Sequence, residues 1–239
     1  MPTTTHDSAD PPAGRRLVVA VDGPSGSGKS SVCREVAARL GLRYLDTGAM
    51  YRALTWWVLD RGADPADQPL VAQLVRELPL AIGTSPSVTL LTVDGRDVSA
   101  EIREPRISAA VSAVATNLAV RAELVRRQQA IIAADDTGIV VEGRDITTVV
   151  APDADARVLL TASEQARLAR RALEVHGRDD DDAIEATRDH VVRRDAQDAT
   201  VADFLEAGDG VTVVDSSDLS FEETVEAVLA VVGRVGVQS

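Results

Sequence analysis

An α/β fold with one parallel sheet covered by helices is predicted from three features of the sequence. Five short apolar runs alternate with helical stretches along the chain. These runs are continuously apolar rather than alternating, as strands buried on both faces must be. A glycine-rich turn, Gly23 to Gly28, joins the first run to the first helix.

The elements follow in order. "RLVVAVD" (16–22) is β-branched and reads as a buried strand. "KSSVCREVAARLG" is a helix with Gly41 just past its end. "LRYLD" is a second strand, and "GAMYRALTWWVLDRG" has helical spacing that stops at Gly62. The texture then changes from Asp64 to Val98. A short helix is expected over Pro69–Leu78. "LPLAIG" and "SVTLLTVDGRDVS" alternate around an Asp94-Gly95 turn, which predicts a small antiparallel β insert over about 64–98. Helices are expected at "EPRISAAVSAVA" and "AVRAELVRRQQAIIAA", and strands at "GIVVEG" and "ARVLLTA". "SEQARLARRALEVHG" and "DDAIEATRDHVVRRDAQD" read as helices around the acidic break "GRDDDD". "GVTVVDSS" and "SFEETVEAVLAVVGRV" supply the last strand and helix.

The chain has 239 residues, 45% apolar and 26% charged, which suits one domain over about 15–235. Residues 1–14 lack an apolar core and a basic start and read as a disordered tail. No apolar run is long enough to predict a membrane span. A net charge of −13 argues against a general nucleic-acid binder. One cysteine and three scattered histidines predict neither a disulfide nor a zinc site, and a reducing cytoplasm is the expected location. A monomer is expected.

Gly23-Pro24-Ser25-Gly26-Ser27-Gly28-Lys29-Ser30 fits GxxxxGK[ST], with a strand before it and a helix after it. Such a P-loop aims consecutive N–H groups at one anion, at a helix N-terminus. Lys29 is the only lysine in the chain, among 25 Lys plus Arg. Its thin, mobile stem fits a loop that arginine's planar fork would overfill. Ser30 offers a hydroxyl to Mg²⁺. A nucleoside triphosphate is the predicted ligand, but the loop alone does not separate kinases from switches or motors.

The arginines carry the rest. In "LDTGAMYR", Thr47 opens a helix and Arg52 lies about one turn in, an arrangement that suits a second phosphate or an ordinary cap. "VVEGRDITTVV" sets Arg144 and Asp145 just beyond a buried strand, where parallel sheets bind ligands. "RLARR" groups Arg167, Arg170 and Arg171, and "HVVRRDAQD" groups Arg193, Arg194, Asp195 and Asp198. Singly, each is as well explained by a solvated face. Together they fit the neutralisation of two polyanions brought end to end.

Here the sequence resembles the bacterial cytidylate kinases. The matching stretches are "VDGPSGSGKS", "LDTGAMYRAL", "DGRDVSAEIREPRISAAVSAVA", "VRAELVRRQQ", "VVEGRDITTVVAPDADARVLLTAS", "RLARRAL", "VRRDAQD" and "VVDSSDLS", from about Arg16 to Ser220. The resemblance implies a P-loop NTP hydrolase-type five-stranded sheet with an NMP-binding region over about 47–120 and a short lid over about 168–185. It implies transfer of the ATP γ-phosphate to CMP or dCMP with Mg²⁺. Catalytic roles fall to Lys29, Arg144 and Arg194. ATP would be held by Gly23–Ser30 with Arg170 and Arg171 at the lid. CMP would meet Thr47, Arg52, Ser112, Arg121, Arg144, Asp145, Arg194 and Asp198. The other readings are a kinase for UMP or AMP, or a nucleotide-binding protein without transfer.

The sequence departs from the family pattern in three places. Val201 stands where a base-contacting arginine is usual, Thr147 where a glycine is usual, and Leu118 where a proline is common.

Overall fold

The computed structural model describes residues 16–88 and 90–236. The expected tail of residues 1–14 lies outside them. The main sheet has five strands: β1 (Val18–Asp22), β2 (Arg43–Asp46), β6 (Ile139–Gly143), β7 (Ala156–Thr161) and β8 (Thr212–Asp215). Their spatial order is β2-β6-β1-β7-β8, with every neighbouring pair parallel. All five strands therefore end on one edge, and every predicted site residue lies on that edge or on a helix facing it.

The strands divide two cores between them. Val19 and Val21 face one apolar cluster, with α1 (Lys29–Arg39) and α8 (Phe221–Gly236). Ala20, one residue between, faces a larger cluster built by α2 (Thr47–Asp60), α4 (Pro105–Ala115) and α5 (Leu118–Ala134). Each fully buried valine or leucine contributes about 1.5–3 kcal/mol. Among the described residues no single helix is long and apolar enough to cross a membrane.

Helix starts follow side-chain caps. Asp46 accepts from Ala49 N at 2.8 Å and opens α2. Asn117 opens α5, Ser163 opens α6 (Glu164–His176) and Asp180 opens α7 (Asp181–Asp198). Helix α3 (Gln68–Glu77) begins one residue before the predicted position because Asp67 caps it.

The insert forms a separate three-stranded antiparallel sheet of β3 (Leu80–Ile82), β4 (Leu91–Val93) and β5 (Arg96–Asp97). Asp94 and Gly95 take φ 52 and 74, the left-handed pair a tight hairpin needs. The strand expected from Ser87 onward is shorter than its pattern: Leu91–Val93 pairs with β3, and of these only Thr92 and Val93 also pair with β5.

One element has no signal in the sequence. Ile146–Val150 makes a single π-helical turn. The carboxylate of Asp22, at the end of β1, accepts from Ile146 N and Thr147 N, each at 2.8 Å. The Thr147 hydroxyl adds a third bond at 2.7 Å. The departure from glycine at 147 is thus accommodated by a buried hydrogen bond.

Candidate active site

The phosphate loop runs from Gly23 to Gly28 into Lys29 and Ser30, the first residues of α1. Gly28 is the N-cap at φ 87, a backbone state open to glycine. The Ser27 hydroxyl is buried with no partner. Lys29 Nζ donates to the Pro24 carbonyl at 2.9 Å, folding back over the loop. Desolvation, and then the Arg144 charge, pull its pKa down to about 8. Glu142, the buried carboxylate at the end of β6, faces Lys29 and bonds the Ser30 hydroxyl. Tyr44 donates to the same carboxylate at 2.5 Å. Burial and the neighbouring Asp46 push the Glu142 pKa up. Ser30 and Glu142 are an all-oxygen pair, the chemistry a hard divalent cation takes.

Beside the loop is a cleft of about 340 Å³, lined by Gly26, Ser27, Gly28, Arg170, Leu219 and Phe221 among others. Arg170 donates to Ser216 Oγ at 2.9 Å and to the Ser216 carbonyl at 2.5 Å. Arg171 pairs with Glu174 at 2.7 Å on the same helix.

Across the sheet edge the other arginines converge. Thr47 donates to the Glu142 carbonyl at 2.7 Å, tying the start of α2 to β6. Arg52 pairs with Asp46 at 2.8 Å, and its Nε is buried without a partner. Arg144 pairs with Asp195 and Asp198 on α7, both at 2.9 Å, and lies 4.3 Å from the centre of the Phe204 ring. Arg194 sits 3.7 Å from Asp198, and its buried Nε has no hydrogen-bond partner. Burial first, then the charges of Arg144 and Arg52, bring the Arg194 pKa down to about 10. Three guanidinium groups, two of them with an orphaned Nε–H, have the donor chemistry to take an anion.

Arg121 on α5 pairs with Asp145 just after β6. Burial raises the Asp145 pKa, and Arg121 opposes that rise. The Ser112 hydroxyl donates to Asp198 at 3.1 Å. The buried Tyr51 hydroxyl lies beside Gln128, within reach of the charges of Asp145, Arg121 and Asp198.

The residues named from sequence thus fall in two groups. Gly23–Ser30 form the phosphate loop and the start of α1, where Gly26, Ser27 and Gly28 line the cleft together with Arg170. Thr47, Arg52, Ser112, Arg121, Arg144, Asp145, Arg194 and Asp198 meet across α2, α4, α5, β6 and α7. Arg171 lies outside these hydrogen-bonded groups, paired on its own helix, although its charge reaches Arg194. Sequence reasoning passed over Glu142, Asp22, Tyr51 and Phe204, and took Asp46 only as a candidate for an ordinary helix cap. Strand-end position could have singled out Glu142. Nothing local marks Phe204.

The sequence model of the cytidylate kinase family matches residues 19–234. The chain belongs to the cytidylate kinase family. Members similar to it include the cytidylate kinase of Nocardia farcinica, 51% identical over 222 residues, 91% of this chain and 94% of that one. The cytidylate kinase of Cutibacterium acnes is 49% identical over 217 residues, 90% of this chain and 96% of that one. The cytidylate kinase of Streptomyces avermitilis is 44% identical over 218 residues, 90% of this chain and 92% of that one.

Proposed function

We propose that the protein transfers the γ-phosphoryl group of ATP to CMP and dCMP, by direct in-line attack of the acceptor phosphate. The observation that carries this is the guanidinium cluster of Arg52, Arg144 and Arg194 set against Lys29, with Arg194 buried and under-neutralised. Such a transfer needs charge neutralisation and alignment rather than an acid or base.

The roles follow from position. The loop amides and Lys29 hold the donor phosphates, and the donor base enters the cleft beside Arg170 and Phe221. Ser30, with Glu142 behind it, would hold Mg²⁺ on those phosphates, where the ion would supply positive charge. Thr47 and Arg52 meet the acceptor phosphate, while Arg144 and Arg194 span both. Asp145 and Arg121 present an acceptor and a donor side by side, complementary to the amine and ring carbonyl of cytosine. Uracil reverses part of that pattern. Ser112 and Asp198 face the ribose. Arg171 joins the donor end when the α6–α7 pair closes over it. A reducing compartment such as the cytoplasm suits the buried free Cys33.

A panel of CMP, dCMP, UMP and AMP with ATP and Mg²⁺, read by ADP release, tests the proposal. CMP and dCMP should turn over fastest and AMP slowest. Absence of CMP-dependent ADP release would end it.

Val201 supports looser base selection than an arginine there would give. It lies partly exposed just past α7, its N–H bonded to the Asp198 carbonyl at 3.2 Å. Val201→Arg should raise kcat/KM for CMP about tenfold, about 1.4 kcal/mol from one charge-assisted hydrogen bond. No gain would mean that another group already reads the base.

A further inference from the structure

The phosphate loop is gripped from outside by two side chains that the transfer described above does not use. The Asp195 carboxylate on α7 accepts from the Ser25 backbone N–H at 3.1 Å. The Arg167 guanidinium on α6 donates to the Ser25 backbone carbonyl at 2.8 Å. The two side chains pair with each other at 2.5 Å. The Asp195 oxygen that takes the Ser25 N–H also takes the Arg144 guanidinium, at 2.9 Å. The three side chains are only 9%, 12% and 17% exposed for Asp195, Arg167 and Arg144.

An independent contact fixes the same join. Gly26 holds φ 77, and a Cβ there would stand 2.5 Å from the Arg167 carbonyl. The loop backbone therefore lies directly on the backbone of α6. Both backbone polar groups of Ser25 are bonded to the helix pair, so Ser25 cannot turn without breaking two hydrogen bonds to a buried ion pair. Removing one member of such a pair strands the charge of the other.

We propose that Asp195 and Arg167 are positioning residues, a two-sided clamp through which α6 and α7 set the shape of the phosphate loop and the aim of Arg144. Closing the helix pair over the donor and orienting the acceptor-side guanidinium then become one event. The proposal rests on the phosphoryl-transfer reading. Neither side chain touches a reacting atom. A competing role is available to the same geometry: Asp195 could stand in for a phosphate and have to leave before ATP binds.

The test uses two variants of the full chain. Asp195→Asn keeps an oxygen for the Ser25 N–H and removes the charge, and Arg167→Gln removes the other half. Each should lower kcat about 10- to 100-fold, the scale of an ångström of misplacement. KM for ATP and for CMP should each change less than about threefold. The double variant should be no slower than the slower single one, because groups that act as a unit are not additive. A merely structural role predicts additive losses. In nucleotide-free protein, the Ser25 and Gly26 amides should exchange at least about tenfold faster in Arg167→Gln. That measurement needs no acceptor, so it tests the clamp whatever the acceptor is. Failure of the unaltered protein to use CMP would instead overturn only the reading on which the acceptor rests. Unchanged kcat, additive losses or unchanged exchange would remove the clamp. Tighter ATP binding by Asp195→Asn would replace it with the phosphate stand-in. If Asp195→Asn does not fold, Arg167→Gln with amide exchange carries the test alone.

Discussion

At the donor end of the crevice, eight consecutive residues, Gly23 to Ser30, supply the cradle and its one lysine. At the acceptor end, Arg52, Arg121, Arg144 and Arg194 come from α2, α5, the turn after β6, and α7. The donor end draws its positive field from backbone N–H groups and a helix N-terminus, which need no counter-ion. The acceptor end draws it from guanidinium groups, most of which already face a carboxylate. Arg52 has Asp46, Arg121 has Asp145, and Arg144 has Asp195 and Asp198. On the proposed reading donor phosphates meet one resident carboxylate, Asp195 on the Ser25 N–H. An acceptor phosphate would take over arginines from several. Such an exchange adds little net affinity and much geometric selection, because each guanidinium is held in place before the ligand arrives.

The largest expected effect tests the donor end. Lys29→Ala should lower kcat about 10³-fold with no loss of thermal stability, as measured by ADP release and thermal unfolding. A loss as small as tenfold would show that the loop amides alone hold the transferring group. Next is Arg194→Gln, expected to lower kcat about 10²-fold, since Arg194 is the least neutralised of the acceptor arginines. A deficit equal to that of Lys29→Ala would erase the distinction between the two ends.

The third test is pH. Lys29 titrates near pH 8 in the free protein, below its ordinary value of 10.5. Donor binding needs the ammonium, so KM for ATP should rise about tenfold between pH 7 and 9. Stability responds with the opposite sign. Between those two pKa values the unfolded chain binds more protons than the folded one, so at this residue stability rises with pH. The rise should be missing in Lys29→Met, as read from melting temperatures across that range. The smallest effect probes the exchange itself. Asp46→Asn keeps the cap on α2 while taking the charge from beside Arg52. KM for CMP should fall about fivefold, about 1 kcal/mol. A rise would mean that Asp46 aims Arg52 and does not compete with phosphate.

Much of this was legible locally. The first strand, the loop and α1 are contiguous, and their spacing states their chemistry. The caps at Asp46 and Ser163 likewise announce helix starts three residues before the N–H groups they bond. The π-helical turn was not legible, because the carboxylate that holds its first N–H groups, Asp22, lies 124 residues before Ile146 in the chain. Nor was the pairing of acids with arginines. "RRDAQD" shows Asp195 and Asp198 beside Arg194, which suggests bonds within one helix. Asp195 pairs instead with Arg167 on α6 and with Arg144 after β6, and the shorter contact of Asp198 also runs to Arg144. Phe204 under Arg144 has no periodicity to give it away, since it follows the end of α7.

By itself the sequence determined the layered α/β class, the loop that takes a triphosphate, and a family of arginines in want of anions. Only the tertiary structure decided the strand order, and with it which arginine meets which carboxylate. The physical reason is range. Strand and helix periodicity and capping act over a few residues, whereas Ser25 and Asp195, hydrogen-bonded in the fold, stand 170 residues apart in the chain.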